Sequence, residues 1–253
     1  MLFIQTLIDE YIENIEARVV HEKDLEPSHL EWLLGPDGNS PRSVGISPAY
    51  SQSGGLPALA CALDTRVLVI NFYSSKSYRS GATGSGTLPR NVERRRLLEY
   101  ELLCHPLCTF YAFDLANIAL SLHLHLHLHV TDAIDIQSAL RIPDRSVLLS
   151  VQNVIADASK VWPENIKRAF ENMIHRSKKH KVTDLVQRAW LCSYIGRYDS
   201  EAIKDMFYKA PKVDTSTDKF SQDVRRFLYQ IDYTVHLIAS LQQGTECLAK
   251  NGV

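Results

Sequence analysis

Three groups of residues in this 253-residue chain could do chemistry. The first is the run "LHLHLHLH" from Leu122 to His129. Read as a strand, it puts His123, His125, His127 and His129 on one face, where imidazoles two residues apart can chelate Zn²⁺ or Ni²⁺. The bland reading is a half-buried strand with a polar face. The second group is basic. Arg90, Arg94, Arg95 and Arg96 form one cluster; Lys167, Arg168, Arg176, Lys178, Lys179, His180 and Lys181 form another, and each offers contacts for phosphates. Neither carries the interleaved aromatics of a base-stacking platform. The third group is acidic: Asp64, Asp114, Asp132, Asp135, Asp199 and Glu201 would have to converge in threes to hold divalent ions. Between Gly38 and Leu63 there is no acid at all. Ser47 lacks a Gly-x-Ser-x-Gly elbow, and "SGATGSG" (80–86) lacks the Lys and helix of a phosphate loop.

Composition narrows the setting. The net charge is −1, which argues against retention on nucleic acid by bulk positive charge. A 45% hydrophobic fraction with 11 Gly and 10 Pro is ordinary for a globular fold. The five scattered cysteines read as buried thiols and not as a disulfide framework. Asp9 and Glu10 interrupt the N-terminal apolar stretch before it could form a signal-peptide core, and no apolar run reaches membrane-spanning length. The chain is expected to be intracellular, nuclear or cytoplasmic, with no membrane partner.

The positioning elements follow from periodicity. Leu2, Phe3, Ile4, Leu7, Ile8, Tyr11, Ile12 and Ile15 share a helical face, predicting an amphipathic N-terminal helix over 1–16. Residues 17–21 read as a short strand. A helix starting at Pro27–Ser28, with Glu31 completing a capping box on Ser28, ends at Gly35. Strands are expected at 43–50, 63–73, 107–113 and 130–136, and a loop at 74–89. Helices are expected at 91–103, 114–122, from Pro163 to about 176, 184–195 and 200–208. A last helix covers 219–243, with Val224, Phe227, Leu228, Ile231, Val235 and Ile238 as its stripe. The reading is one α/β domain over 1–253 with extra helices at both ends and a core over 17–207.

The order of these pieces resembles the RNase D-like 3′–5′ exonucleases, a branch of the RNase H-like fold. The motifs concerned are "VGISPAY" (44–50) for the first catalytic strand, "FYAFDLANIAL" (110–120), "IDIQSAL" (134–140) and "YIGRYDSEAI" (194–203). The resemblance implies an α/β fold with a mixed sheet flanked by helices. In the family, four carboxylates hold two Mg²⁺ or Mn²⁺ ions that activate water and stabilise the leaving oxygen. Carried over by position, the two acids of the first motif fall on Ser47 and Ala49 and the second on Asn117. Only Asp199 survives, from the final motif. Asp114, three residues before Asn117, and Asp135 are further candidate acids. One carboxylate of four cannot hold two hard cations, so the resemblance implies a silent site with no cofactor. The implied role is a binding module for RNA, single-stranded nucleic acid or a protein partner. The alternatives are an active divergent exonuclease using Mg²⁺ or Mn²⁺, and an assembly module working through its terminal helices. Asp199 has an ordinary reading as a helix cap.

Overall fold

The computed structural model describes residues 1–5, 14–35, 40–51, 55–72, 90–140, 181–198, 201–217, 219–220 and 222. The chain divides into two compact units, Met1–Asp214 and Thr215–Val253. The first holds an eight-stranded mixed sheet in the order β1-β2-β5-β4-β3-β6-β7-β8.

Its centre is an antiparallel meander of β3 (Arg42–Ala49), β4 (Ala58–Leu63) and β5 (Arg66–Asn71). The two-residue turn Asp64–Thr65 joins β4 to β5, and Asp64 takes the positive φ of 54° that such a turn demands. Beside β3, β6 (Cys108–Ala112) runs parallel, and β7 (Ala133–Asp135) runs parallel to β6. This is an α/β mixed sheet flanked by helices, as expected. Pro48 is tolerated within β3 because β6 pairs only with Arg42–Gly45, leaving one side of the strand open beyond them.

The sheet has a core on each face. On one, α1 (Pro27–Leu34), α2 (Arg90–Leu98) and α3 (Leu115–Ser121) cover Val44, Ile46, Leu59, Cys61, Leu68 and Phe110. On the other, α5 (Val182–Gly196) lies over Ala49, Ala58, Ala60, Ala62, Val67 and Val69, with Phe207 of α6 (Glu201–Lys209) beside it. A one-turn helix, α4 (Ile136–Ala139), follows β7. In β4 the alternation is strict: Ala58, Ala60 and Ala62 face α5, and Leu59, Cys61 and Leu63 face away.

Several expectations change. Residues 1–16 do not form a helix where they are described. Leu2–Gln5 is β1, Asn14–His21 is β2, and the two pair antiparallel. The cause is tertiary: β5 needs a neighbour, and β2 supplies it in parallel register from Glu16↔Arg66 to His21↔Asn71. In β2, Ile15 and Ala17 enter the core beneath α5 and Val20 enters the opposite one, so the strand serves both faces. The helix at Pro27 is capped by Glu26, not Ser28, and His29 Nδ1 accepts the Glu26 N–H at 3.1 Å. Proline fits the first helical position, so the cap slips upstream. β4 and the two-residue β8 (Lys212–Val213) were not expected from the sequence. The alanine-rich composition of β4 hides it, because alanine is depleted in strands.

The Leu/His run is not a strand either. Leu122–Leu126 continues α3 as a π-helical turn, ended by His127 in the left-handed region (φ 54°). Leu122 and Leu126, four apart, both enter the core, so the alternation serves a helical face as well. α2 continues likewise as a π-helical turn over Glu99–Leu103. The loop expected at 74–89, the helix expected from Pro163 and nearly all of the terminal helix lie outside the described residues. Of the last, Lys219–Phe220 and Gln222 are helical.

Candidate functional site

The first-motif positions lie on the face of β3 that α5 covers. Because side chains alternate, Ser43, Gly45, Ser47 and Ala49 all point that way. Ser47 is 2% exposed and Ala49 1%. Three members of the stripe meet the helix directly. Ser193 Oγ donates to the Ser43 carbonyl at 2.9 Å, and Ser43 Oγ donates to the Gly196 carbonyl at 3.2 Å. At Gly45 an added Cβ would overlap the Ala189 carbonyl oxygen and the Ser193 backbone nitrogen, so glycine is what lets helix and strand approach this closely. At Ser47 the neighbour is a cation: Arg188 Nε donates to Ser47 Oγ at 3.0 Å, and Arg188 Nη2 donates to the Pro48 carbonyl at 3.1 Å.

Arg188 is 2% exposed. Burial lowers its guanidinium to about 10, opposed by the charge of Asp184 one turn upstream, so it is a cation at neutral pH. The end of β3 therefore presents a hydroxyl, a methyl and a guanidinium. None is an anionic oxygen ligand, and this donor set does not fit a pair of hard divalent ions.

The acids are spread between the two ends of the sheet. Asp114 follows β6, and Asp135 ends the adjacent parallel β7. Asp114 adopts φ 57°; its N–H donates to Gln137 Oε1 at 3.1 Å, and Asn117 Nδ2 donates to its carboxylate oxygens, each at 2.8 Å. Asn117 therefore serves as a partner of Asp114. Ser138 Oγ donates to Asp135 Oδ2 at 2.6 Å, while Asp135 Oδ1 is buried without a partner. Asp132 sits at the opposite end of β7, bound by Thr109 Oγ1 and Lys212. Asp64, in the β4–β5 turn, pairs with Arg197. Glu201 is exposed and pairs with Lys204. Asp199 lies outside the described residues. Among the described residues no three His, Cys, Asp or Glu stand together as a metal-holding group.

The four histidines do not share a face. His125 and His127 are exposed. His123 and His129 lie with ring centroids 5.5 Å apart, and His129 Nδ1 is 2.5 Å from Glu99 Oε1. The basic residues separate too. Arg95 is half-buried and paired to Glu22, itself 1% exposed, and it also donates to the Leu126 carbonyl at 3.2 Å. Arg96 is exposed, and Arg94 Nε is buried without a partner. Lys181 is exposed at the start of α5; Arg176, Lys178 and Lys179 lie outside the described residues. Cys61 and Cys192 are buried and Cys104 half-buried; burial pushes Cys61 and Cys192 up to about 12, as expected of thiols packed as core.

Arg188 is the residue that sequence reasoning missed. A signal was present: Leu191, Cys192 and Ile195, all buried, lie on the same side of α5 as Asp184 and Arg188, so charges there had to be buried too.

No protein-family model matches the chain, and no curated protein matches it in sequence. Solved structures do. The Trypanosoma brucei RNase D in complex with GMP is similar over 77% of this chain and 61% of its own, with 13% identity and a TM-score of 0.48. The catalytic core of Trypanosoma brucei RRP6 is similar over 78% of this chain and 51% of its own, with 12% identity and a TM-score of 0.47. A nuclease in its apo form is similar over 76% and 79%, with 12% identity and a TM-score of 0.37. The chain thus spans less than two thirds of the RNase D chain in the GMP complex and about half of the RRP6 chain. Among the described residues, no helix is long and apolar enough to cross a membrane.

Proposed function

We propose that this chain is a 3′–5′ exonuclease-like domain that binds single-stranded nucleic acid, RNA foremost, and does not cut it. The observation that carries the reading is the state of β3. The positions where the resemblance puts the first two metal-binding acids, Ser47 and Ala49, are 2% and 1% exposed beneath α5. A two-metal site needs anionic ligands open to water and substrate. Here the side chains are neutral and closed over. Binding falls to the basic residues left available: exposed Arg96, Arg94 beside it and exposed Lys181. Arg95 contributes to structure instead.

The test is a 5′-labelled single-stranded RNA incubated with the protein and Mg²⁺ or Mn²⁺, together with binding at two salt concentrations. The reading predicts an intact label and binding that weakens as salt rises, because phosphate contacts release counterions. Weaker binding by Arg96→Ala at unchanged fold would place the interface. An intact label without binding would transfer the role to a protein partner.

One observation favours the active alternative. Asp114 follows β6 and Asp135 ends the neighbouring parallel β7, both at the end of the sheet where β3 also ends. Metal-dependent shortening from the 3′ end, abolished by Asp135→Asn or Asp199→Ala, would establish it.

A further inference from the structure

The place that the resemblance gives to metal ions is taken by a positive charge of the chain's own. We propose that Arg188 is the resident cation of this site: its guanidinium, balanced by Asp184, supplies from within the fold the charge that a divalent ion would otherwise bring. The inference rests on the reading of the chain as a non-cutting exonuclease-like domain and deepens it.

The geometry is specific. Arg188 and Asp184 are 2% and 5% exposed, on adjacent turns of a helix whose residues from Asp184 to Ser193 are all buried. Charges in such a place persist only when paired and hydrogen-bonded. Arg188 has hydrogen bonds to Ser47 Oγ and the Pro48 carbonyl, acceptors that β3 offers there. A neutral hydroxyl is a good acceptor for a guanidinium and a poor ligand for Mg²⁺. The residues on the two elements therefore suit each other and not a metal. A guanidinium within hydrogen-bond distance of position 47 also repels any divalent ion brought to the same spot.

A consequence separates this arrangement from simple loss of ligands. An acid restored at position 47 would pair with Arg188 and recruit no metal. The experiment measures melting temperature, with Mn²⁺ or with chelator, for Ser47→Asp in two backgrounds. One is the natural chain. The other carries Asp184→Asn with Arg188→Met, which removes both charges together so that neither is left unpaired. In the natural chain Ser47→Asp is expected to leave the melting temperature within roughly 2 °C and to give no Mn²⁺-dependent rise. In the neutral background the same substitution buries an unpaired carboxylate and is expected to lower it by roughly 6 °C or more. Equal effects in the two backgrounds would overturn the proposal. So would a Mn²⁺-dependent rise for Ser47→Asp with Arg188 in place. Should the double background fail to fold, Arg188→Lys with Ser47→Asp replaces it; retained tolerance of the acid supports a role for charge, and lost tolerance contradicts it. The functional reading fails separately: RNA shortening by the unaltered chain would remove that reading, whatever the melting data say.

Discussion

Arg95 and Arg96 are neighbours in α2 with different work. Arg95 reaches Glu22, which is almost wholly buried, and the Leu126 carbonyl; Arg96 faces water. Removing one partner of a buried ion pair strands the other charge, at a cost of about 3–5 kcal/mol. Arg95→Ala should therefore unfold at markedly lower denaturant, by about 3 kcal/mol. Arg96→Ala should stay within about 0.5 kcal/mol of the parent and lose RNA affinity instead. Equilibrium unfolding of both variants beside an RNA titration checks this division, and equal stability losses would refute it. The sequence presents the four arginines of this cluster as one basic group, because nothing local tells Arg95 that Glu22 waits 73 positions away. The same holds for Arg188 and Ser47, 141 positions apart. Asp184 and Arg188, four apart, have the spacing of an ordinary surface ion pair. Only the buried apolar residues on the same side of the helix say otherwise.

At the scale of elements, the contact between β3 and α5 organises the site. It is made of small residues and direct hydrogen bonds: Ser43 and Ser193, Gly45 beneath Ala189, Ser47 beneath Arg188. Gly45→Ala would press a methyl into backbone atoms that have no rotamer to escape through. A loss of roughly 3 kcal/mol is expected, at the upper end of overpacking costs. A melting curve for Gly45→Ala close to that of the parent would show that the helix can lift away, and would weaken every inference drawn from the closeness of Arg188. Much of this layout was legible. The buried runs of β3, β5 and β6 and the periodic helices 27–34, 115–121, 182–196 and 201–209 follow from pattern. What was not legible has physical causes. β4 is half alanine, since α5 needs a thin surface there, and alanine carries no strand signal. The apolar spacing within 1–16 satisfies a helical period; in the described residues 2–5 and 14–16 pairing decides instead, β2 joining the edge of β5 and β1 joining β2. The Leu/His run alternates as a strand would, yet is wound into a turn that buries Leu122 and Leu126.

For the whole molecule, the two cores enclose thiols that cannot ionise in place. Burial raises Cys61 and Cys192 to about 12 from an ordinary thiol value near 9. The folded state thus keeps protons that the unfolded chain releases. Their contribution is fully present below about pH 9 and is lost as pH rises towards 12. Melting temperature should accordingly hold steady to about pH 9 and fall above it, with a shallower fall in Cys192→Ala. A flat profile to pH 11 would mean that these thiols are less enclosed than the packing indicates.

The single most direct measurement is the fate of a 5′-labelled single-stranded RNA mixed with the unaltered chain and Mn²⁺, read beside its binding at low and high salt. A full-length label together with salt-sensitive binding is the predicted result. Progressive shortening from the 3′ end would contradict it, and would mean that acids such as Asp114, Asp135 and Asp199 assemble a working metal site despite the guanidinium above Ser47.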